Sequence, residues 1–121
     1  MNNIYDNIKP FLNLIDENEQ IILAGHTSPD GDAVSACFAL AMALEKLGKK
    51  PIILLEDYSV SLEHIKGHHF VYKEDYKNLE NVSLFVTLDC GDIERLGEAK
   101  DIFEKAKNTV NIDHHISNNN F

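Results

Sequence analysis

The sequence predicts an α/β fold in which an open, mainly parallel sheet carries helices on both faces. Three observations lead there. Four short apolar runs have the length and β-branched content of buried strands: Ile21-Ile22-Leu23-Ala24, Ile52-Ile53-Leu54-Leu55, Leu84-Phe85-Val86-Thr87-Leu88 and Thr109-Val110-Asn111-Ile112. Segments with the 3.6-residue apolar period of helices alternate with them, an order that implies parallel pairing through right-handed crossovers. No repeat, low-complexity linker or Pro/Gly/Ser-rich hinge divides the chain, and 121 residues that are 44% hydrophobic and 26% charged suit a single core.

Taken in order, residues 3 to 17 place Ile4, Ile8, Phe11, Leu12 and Ile15 at helical spacing, predicting an amphipathic helix that packs on the elements after it. The first strand, Ile21 to Ala24, ends at Gly25-His26. After the turn Thr27-Ser28-Pro29-Asp30-Gly31, Asp32 is expected to cap a helix with Ala33, Ala36, Cys37, Leu40, Ala41, Leu44 and Leu47 on its apolar face and Gly48 as its stop. The second strand follows at Ile52 to Leu55. From Glu56 to Asn81 the pattern is irregular, with a short helix expected near Leu62 and an extra edge strand at Phe70-Val71-Tyr72. The third strand is Leu84 to Leu88. A helical stretch from Glu98 to Lys107 leads to the fourth strand, Thr109 to Ile112.

Composition excludes several classes. No run approaches the roughly 18 to 20 apolar residues of a membrane helix, and MNNIYDNIKP lacks the basic start and apolar stretch of a signal peptide, so a cytoplasmic protein without a membrane partner is expected. Cys37 and Cys90 match no zinc or redox spacing and are expected to be buried thiols. A net charge of −9 argues against gripping long nucleic acid through a basic surface. It leaves a small phosphate substrate open, because carboxylates that hold divalent cations make the local field positive.

The polar residues then fall into a pattern. His26 follows the first strand, Asp89 ends the third, and Asp113-His114-His115 follows the fourth. Strand C-termini of a parallel sheet share one edge, where open α/β sheets bind ligands. Asp30 and Asp32, on the first loop at the mouth of a helix, complete the set. Imidazole and carboxylate groups without thiol, Lys or a Gly-rich cradle suit a pair of divalent ions, with Mn²⁺ favoured over Mg²⁺ by the imidazoles. Two such ions about 3.5 to 4 Å apart activate water and stabilise the leaving oxygen, so hydrolysis of a phosphate ester or anhydride is the expected chemistry. A single His beside a strand or Asp beside a helix start is ordinarily structural. Their coincidence at three strand ends and one loop is what carries the metal reading.

Competing motifs fail. Asp30-Gly31-Asp32 resembles the start of a calcium loop, but Val34 and Ala41 stand where further ligands belong. Nucleotide fingerprints of the G-x-x-x-x-G-K-[ST] and G-x-G-x-x-G types do not occur. Glu63-His64 and His68-His69 read as a solvated loop, not a zinc site.

In order and wording, these residues resemble the DHH phosphoesterases. Gly25-His26-Thr27-Ser28-Pro29-Asp30-Gly31-Asp32-Ala33 is similar to the family's first motif, Leu88-Asp89-Cys90 to its second, and Asn111-Ile112-Asp113-His114-His115 to its third. The resemblance covers nearly the whole chain and implies a Rossmann-like DHH domain. It implies that His26 and Asp30 bind one metal, Asp32 and His114 a second, and Asp89 both. Asp113 would support the site, and His115 would lie near the scissile phosphate. The Pro-Asp-Gly-Asp-Ala wording and the helix ending Leu47-Gly48-Lys49 look like the branch of bifunctional oligoribonucleases and 3′-phosphoadenosine 5′-phosphate phosphatases. Pyrophosphatases, exopolyphosphatase-like proteins, cyclic-dinucleotide phosphodiesterases and RecJ-type exonucleases have similar first motifs.

The family also has a fourth metal-binding Asp and a C-terminal substrate-binding domain. Residues 1–121 are therefore expected to be the N-terminal part of a truncated DHH domain, without that second domain and with an apolar sheet edge open to homodimer pairing. Three functions are expected to compete: hydrolysis of short oligoribonucleotides and 3′-phosphoadenosine 5′-phosphate, hydrolysis of anhydrides, and metal binding without turnover by the fragment.

Overall fold

The computed structural model describes residues 4–26, 31–55 and 66–112. Helix α1 (Ile4–Glu17) leads into β1 (Gln20–Ala24), followed by α2 (Gly31–Lys46) and β2 (Lys50–Leu54). Two 3₁₀ turns, His68–Phe70 and Tyr76–Asn78, precede β3 (Leu84–Leu88). Within Ile93–Ala99, 3₁₀ turns broken by a non-helical kink at Gly97 run into α3 (Lys100–Lys105) and then β4 (Asn108–Ile112). The four strands form one sheet in the order β2-β1-β3-β4, and every pairing is parallel.

The predicted architecture is therefore the observed one, and its two faces are legible strand by strand. Ile21 and Leu23 of β1, Ile53 of β2 and Leu84, Val86 and Leu88 of β3 pack with Ile15 of α1 and with Val34, Cys37, Phe38, Ala41 and Leu44 of α2. The alternate residues Ile22, Ala24, Leu54 and Phe85 pack with Leu96, Ala99, Ile102 and Phe103 on the other side. Period-two alternation thus feeds two cores, because both faces of a parallel sheet are covered by its crossovers.

Several boundaries and faces differ from the expectation. Helix α2 already includes Gly31, so Asp32 is its second residue and the cap position lies before Gly31. The helix buries Val34 and Phe38 as well as the predicted stripe, while Leu47, beyond its end, is 65% exposed. Leu47 is out because the helix closes first: the Lys49 N–H donates to the Leu44 carbonyl and the Gly48 N–H to that of Glu45, both at 3.0 Å, a Schellman ending. In α1, Ile15 is buried and Phe11 half-buried, but Ile8 and Leu12 face outward, so its apolar stripe is only partly covered. The expected edge strand at Phe70-Val71-Tyr72 shrinks to one bridge between Val71 and Ile53, with the Tyr72 N–H donating to the Ile53 carbonyl at 2.8 Å. The helix expected near Leu62 lies outside the described residues. Among the described residues, no helix is long and apolar enough to cross a membrane.

Candidate metal centre

Strand order decides where a site can form. The chain runs from β1 to β2 on one side, then returns to place β3 and β4 on the other, so β1 and β3 flank the point at which the order reverses. The segments leaving their C-terminal ends pack on opposite faces, the arrangement at which open α/β sheets bind ligands. His26 stands two residues beyond the end of β1 and Asp89 directly after β3. Because Ala24 pairs with Thr87, continuing the register brings positions 26 and 89 level on neighbouring strands. Both stand at the point where the strand order reverses.

The loop-and-helix part of the set is anchored to the same place. A Cβ on Gly25 would lie 3.3 Å from Ala33 Cβ and 3.3 Å from Leu55 Cδ2, so the first turn of α2 is pressed onto the end of β1 with no room for a side chain between. Asp32, the residue before Ala33, therefore enters the helix beside the end of β1. Ile112, which pairs with Leu88, brings β4 to the same level, and the Asp89 N–H donates to the Ile112 carbonyl at 2.9 Å. Asp30, Asp113, His114 and His115 lie outside the described residues. Among the described residues, no three His, Cys, Asp or Glu side chains come together as a metal cage. What is brought together there is His26, Asp89 and the start of α2.

Asp89 is the exceptional residue. Only 7% of it is exposed, and it is the one charged residue among the buried described residues. Its φ of 55° lies in the left-handed region, which Asp tolerates better than most side chains but which still carries strain. Burial of a carboxylate is costly unless hydrogen bonds or a cation compensate it. Imidazole and carboxylate donors with no thiolate fit a hard to borderline divalent cation, so the residues present suit a metal of the Mn²⁺ or Mg²⁺ kind.

Three residues near the site were given no role at it by the sequence. Cys37, on the buried face of α2, has its thiol pushed up to about 12, first by burial and then by the charge of Asp89 nearby. Thr87 and Asn111 join β3 to β4 through a side-chain hydrogen bond of 3.0 Å. The available signal was a polar residue inside an otherwise apolar strand run. Both cysteines are buried and outside any disulfide, as expected. His68, assigned to a solvated loop, instead packs edge-on against Phe38 with ring centres 5.1 Å apart.

The Cys37 shift has a consequence for stability. The thiol ordinarily titrates at 9.0, and the folded protein holds the proton to about 12. Below pH 9 the group is protonated in both states and contributes no difference. Above it the unfolded chain ionises while the native one does not, so stability falls with pH at about 1.4 kcal/mol per unit until the folded value is reached. Urea unfolding between pH 8 and 10.5 is expected to show this decline, flattened in Cys37→Ala. A decline equally steep in the variant would rule the thiol out as its source.

A sequence model described as the DHH family, N-terminal domain, matches residues 20–121. Among solved structures, the chain is similar to an exopolyphosphatase-related protein from Bacteroides fragilis. The two share 21% sequence identity with a TM-score of 0.79 over 92% of this chain and 35% of that one. At that identity the likeness is one of fold, and this chain spans little more than a third of that protein's length.

Proposed function

The chain belongs to the DHH family, and from that premise we propose that the protein is a Mn²⁺-dependent phosphoesterase hydrolysing short oligoribonucleotides and 3′-phosphoadenosine 5′-phosphate. The observation that supports it most is the buried Asp89 at the end of β3, level with His26 at the strand-order reversal. In this reading His26 and Asp30 would hold one metal ion and Asp32 and His114 the other, with Asp89 a ligand to the pair. The metal ions, when bound, supply Lewis acidity and a water of lowered pKa. The chain's own contribution is positional. The left-handed turn at Asp89 and its backbone bond to Ile112 fix the Asp89 backbone at the strand-order reversal, and the close contact of Gly25 with Ala33 holds the first turn of α2 beside it. Asp113 would support the site, and His115 would lie close to the scissile phosphate. The acidic chain favours short substrates over long polyanions.

A second reading, hydrolysis of phosphoanhydrides, draws on the fold likeness to an exopolyphosphatase-related protein. Incubation with Mn²⁺ separates the two. Di- to pentaribonucleotides are expected to release mononucleotides and 3′-phosphoadenosine 5′-phosphate to release phosphate, both stopped by EDTA. Intact RNA alongside cleaved pyrophosphate or polyphosphate would replace the first reading by the second.

A further inference from the structure

Thr87 and Asp89 are the two buried polar residues among the described part of the chain, and they stand two positions apart on β3 and the turn after it. Packing does not account for Thr87. Its site is wholly buried, and Val would fill it without taking a hydroxyl out of water. The hydroxyl is retained with a partner: Oγ1 donates to Oδ1 of Asn111 at 3.0 Å, and Asn111 is the residue opposite Thr87 in the β3-β4 register. Asn111 stands two residues before Asp113, as Thr87 stands two before Asp89.

We infer that Thr87 is a positioning residue for the metal centre, acting through Asn111 on the paired ends of β3 and β4; the inference rests on the metal-centre reading of the proposed function. The side-chain bond lies just behind the backbone bond from the Asp89 N–H to the Ile112 carbonyl. Together they hold the end of β4, from which Asp113-His114-His115 departs, at a set offset from Asp89. Among the described residues β4 is an edge strand, where ladder ends otherwise open most readily. The bond also sets the polarity of Asn111. With Oδ1 turned to Thr87, its amide NH₂ is turned the other way and can donate at an edge where the sequence gathers carboxylates. Outer partners of this kind fix the orientation of groups that ligate a metal.

The test is Mn²⁺ affinity by titration calorimetry on the parent protein, Thr87→Val and Thr87→Ser, with metal-free unfolding measured alongside. Thr87→Val is expected to weaken Mn²⁺ binding by about tenfold or more, the scale of outer-partner loss at metal sites. Thr87→Ser, which keeps the hydroxyl, is expected to restore affinity to within about threefold. Asn111→Ala is expected to weaken binding as Thr87→Val does, and the double variant to add less than about twofold because both remove one bond. Asn111 is half-buried, so its variant carries the same test should Thr87→Val fail to fold. Affinity unchanged within twofold in both single variants, or a Ser variant as weak as the Val variant, overturns the inference while leaving the metal centre standing. A parent protein that takes up no Mn²⁺ overturns the metal-centre reading and the positioning role with it.

Discussion

Replacing Asp89 by asparagine is expected to lower Mn²⁺-dependent hydrolysis by on the order of 10³-fold, the scale of removing one preorganised electrostatic group from an active site. Asparagine is the informative substitution, because it preserves shape and tolerates the left-handed backbone at φ 55°. Alanine would add backbone strain of about 1 kcal/mol and blur the cause. Without metal the asparagine variant is expected to unfold at or above the parent's midpoint, since a carboxylate only 7% exposed gives way to a neutral amide. Loss of activity with stability retained is the pattern of a group kept for function. Hydrolysis within tenfold of the parent would remove Asp89 from the centre.

Replacing Gly67 by alanine is expected to cost about 3 to 5 kcal/mol of stability, combining overpacking with left-handed strain. The backbone there has φ 128°, and a Cβ would lie 2.6 Å from Cγ, 2.8 Å from Cβ and 2.9 Å from Cδ2 of Phe38. Phe38 has little room to yield, being fully buried on α2 with the His68 ring packed against it in a T-shaped pair. Urea unfolding measures the loss. In a Phe38→Ala background the added cost of Gly67→Ala is expected to shrink, because the contacts with Cγ and Cδ2 go while the contact with Cβ and the strain stay. A loss below about 1 kcal/mol in the parent background would show that the segment from Gly67 to Phe70 is not held against α2.

These two residues were unequally visible in the sequence. Asp89 stands directly after Leu84-Phe85-Val86-Thr87-Leu88, a run bounded by polar residues on both sides, and β3 spans those same residues. Nothing local marks Gly67, whose constraint comes from a helix some thirty positions earlier in the chain. The same nonlocal packing explains the altered expectation at Phe70-Val71-Tyr72. With Gly67 seated on Phe38 and Phe70 buried in the core, the segment bridges to β2 among the described residues only at Ile53. Asp32 looked like a cap because its side chain favours that role, but the helix begins one residue earlier, at Gly31.

What the sequence by itself determined is what depends on neighbours within a few positions. The alternation of strands and helices, the stop at Gly48, the two thiols outside any disulfide, and the candidate donors at strand ends all follow from periodicity and side-chain chemistry. The DHH family could also be recognised from three short motifs. The tertiary structure decided the rest: the order β2-β1-β3-β4 that makes β1 and β3 neighbours, the register that sets His26 level with Asp89, and the Thr87–Asn111 bond across β3 and β4. Strand order and register are settled by pairing between distant segments and by the cores on both faces. A string of local patterns shows which residues end strands, and only the folded sheet makes them neighbours.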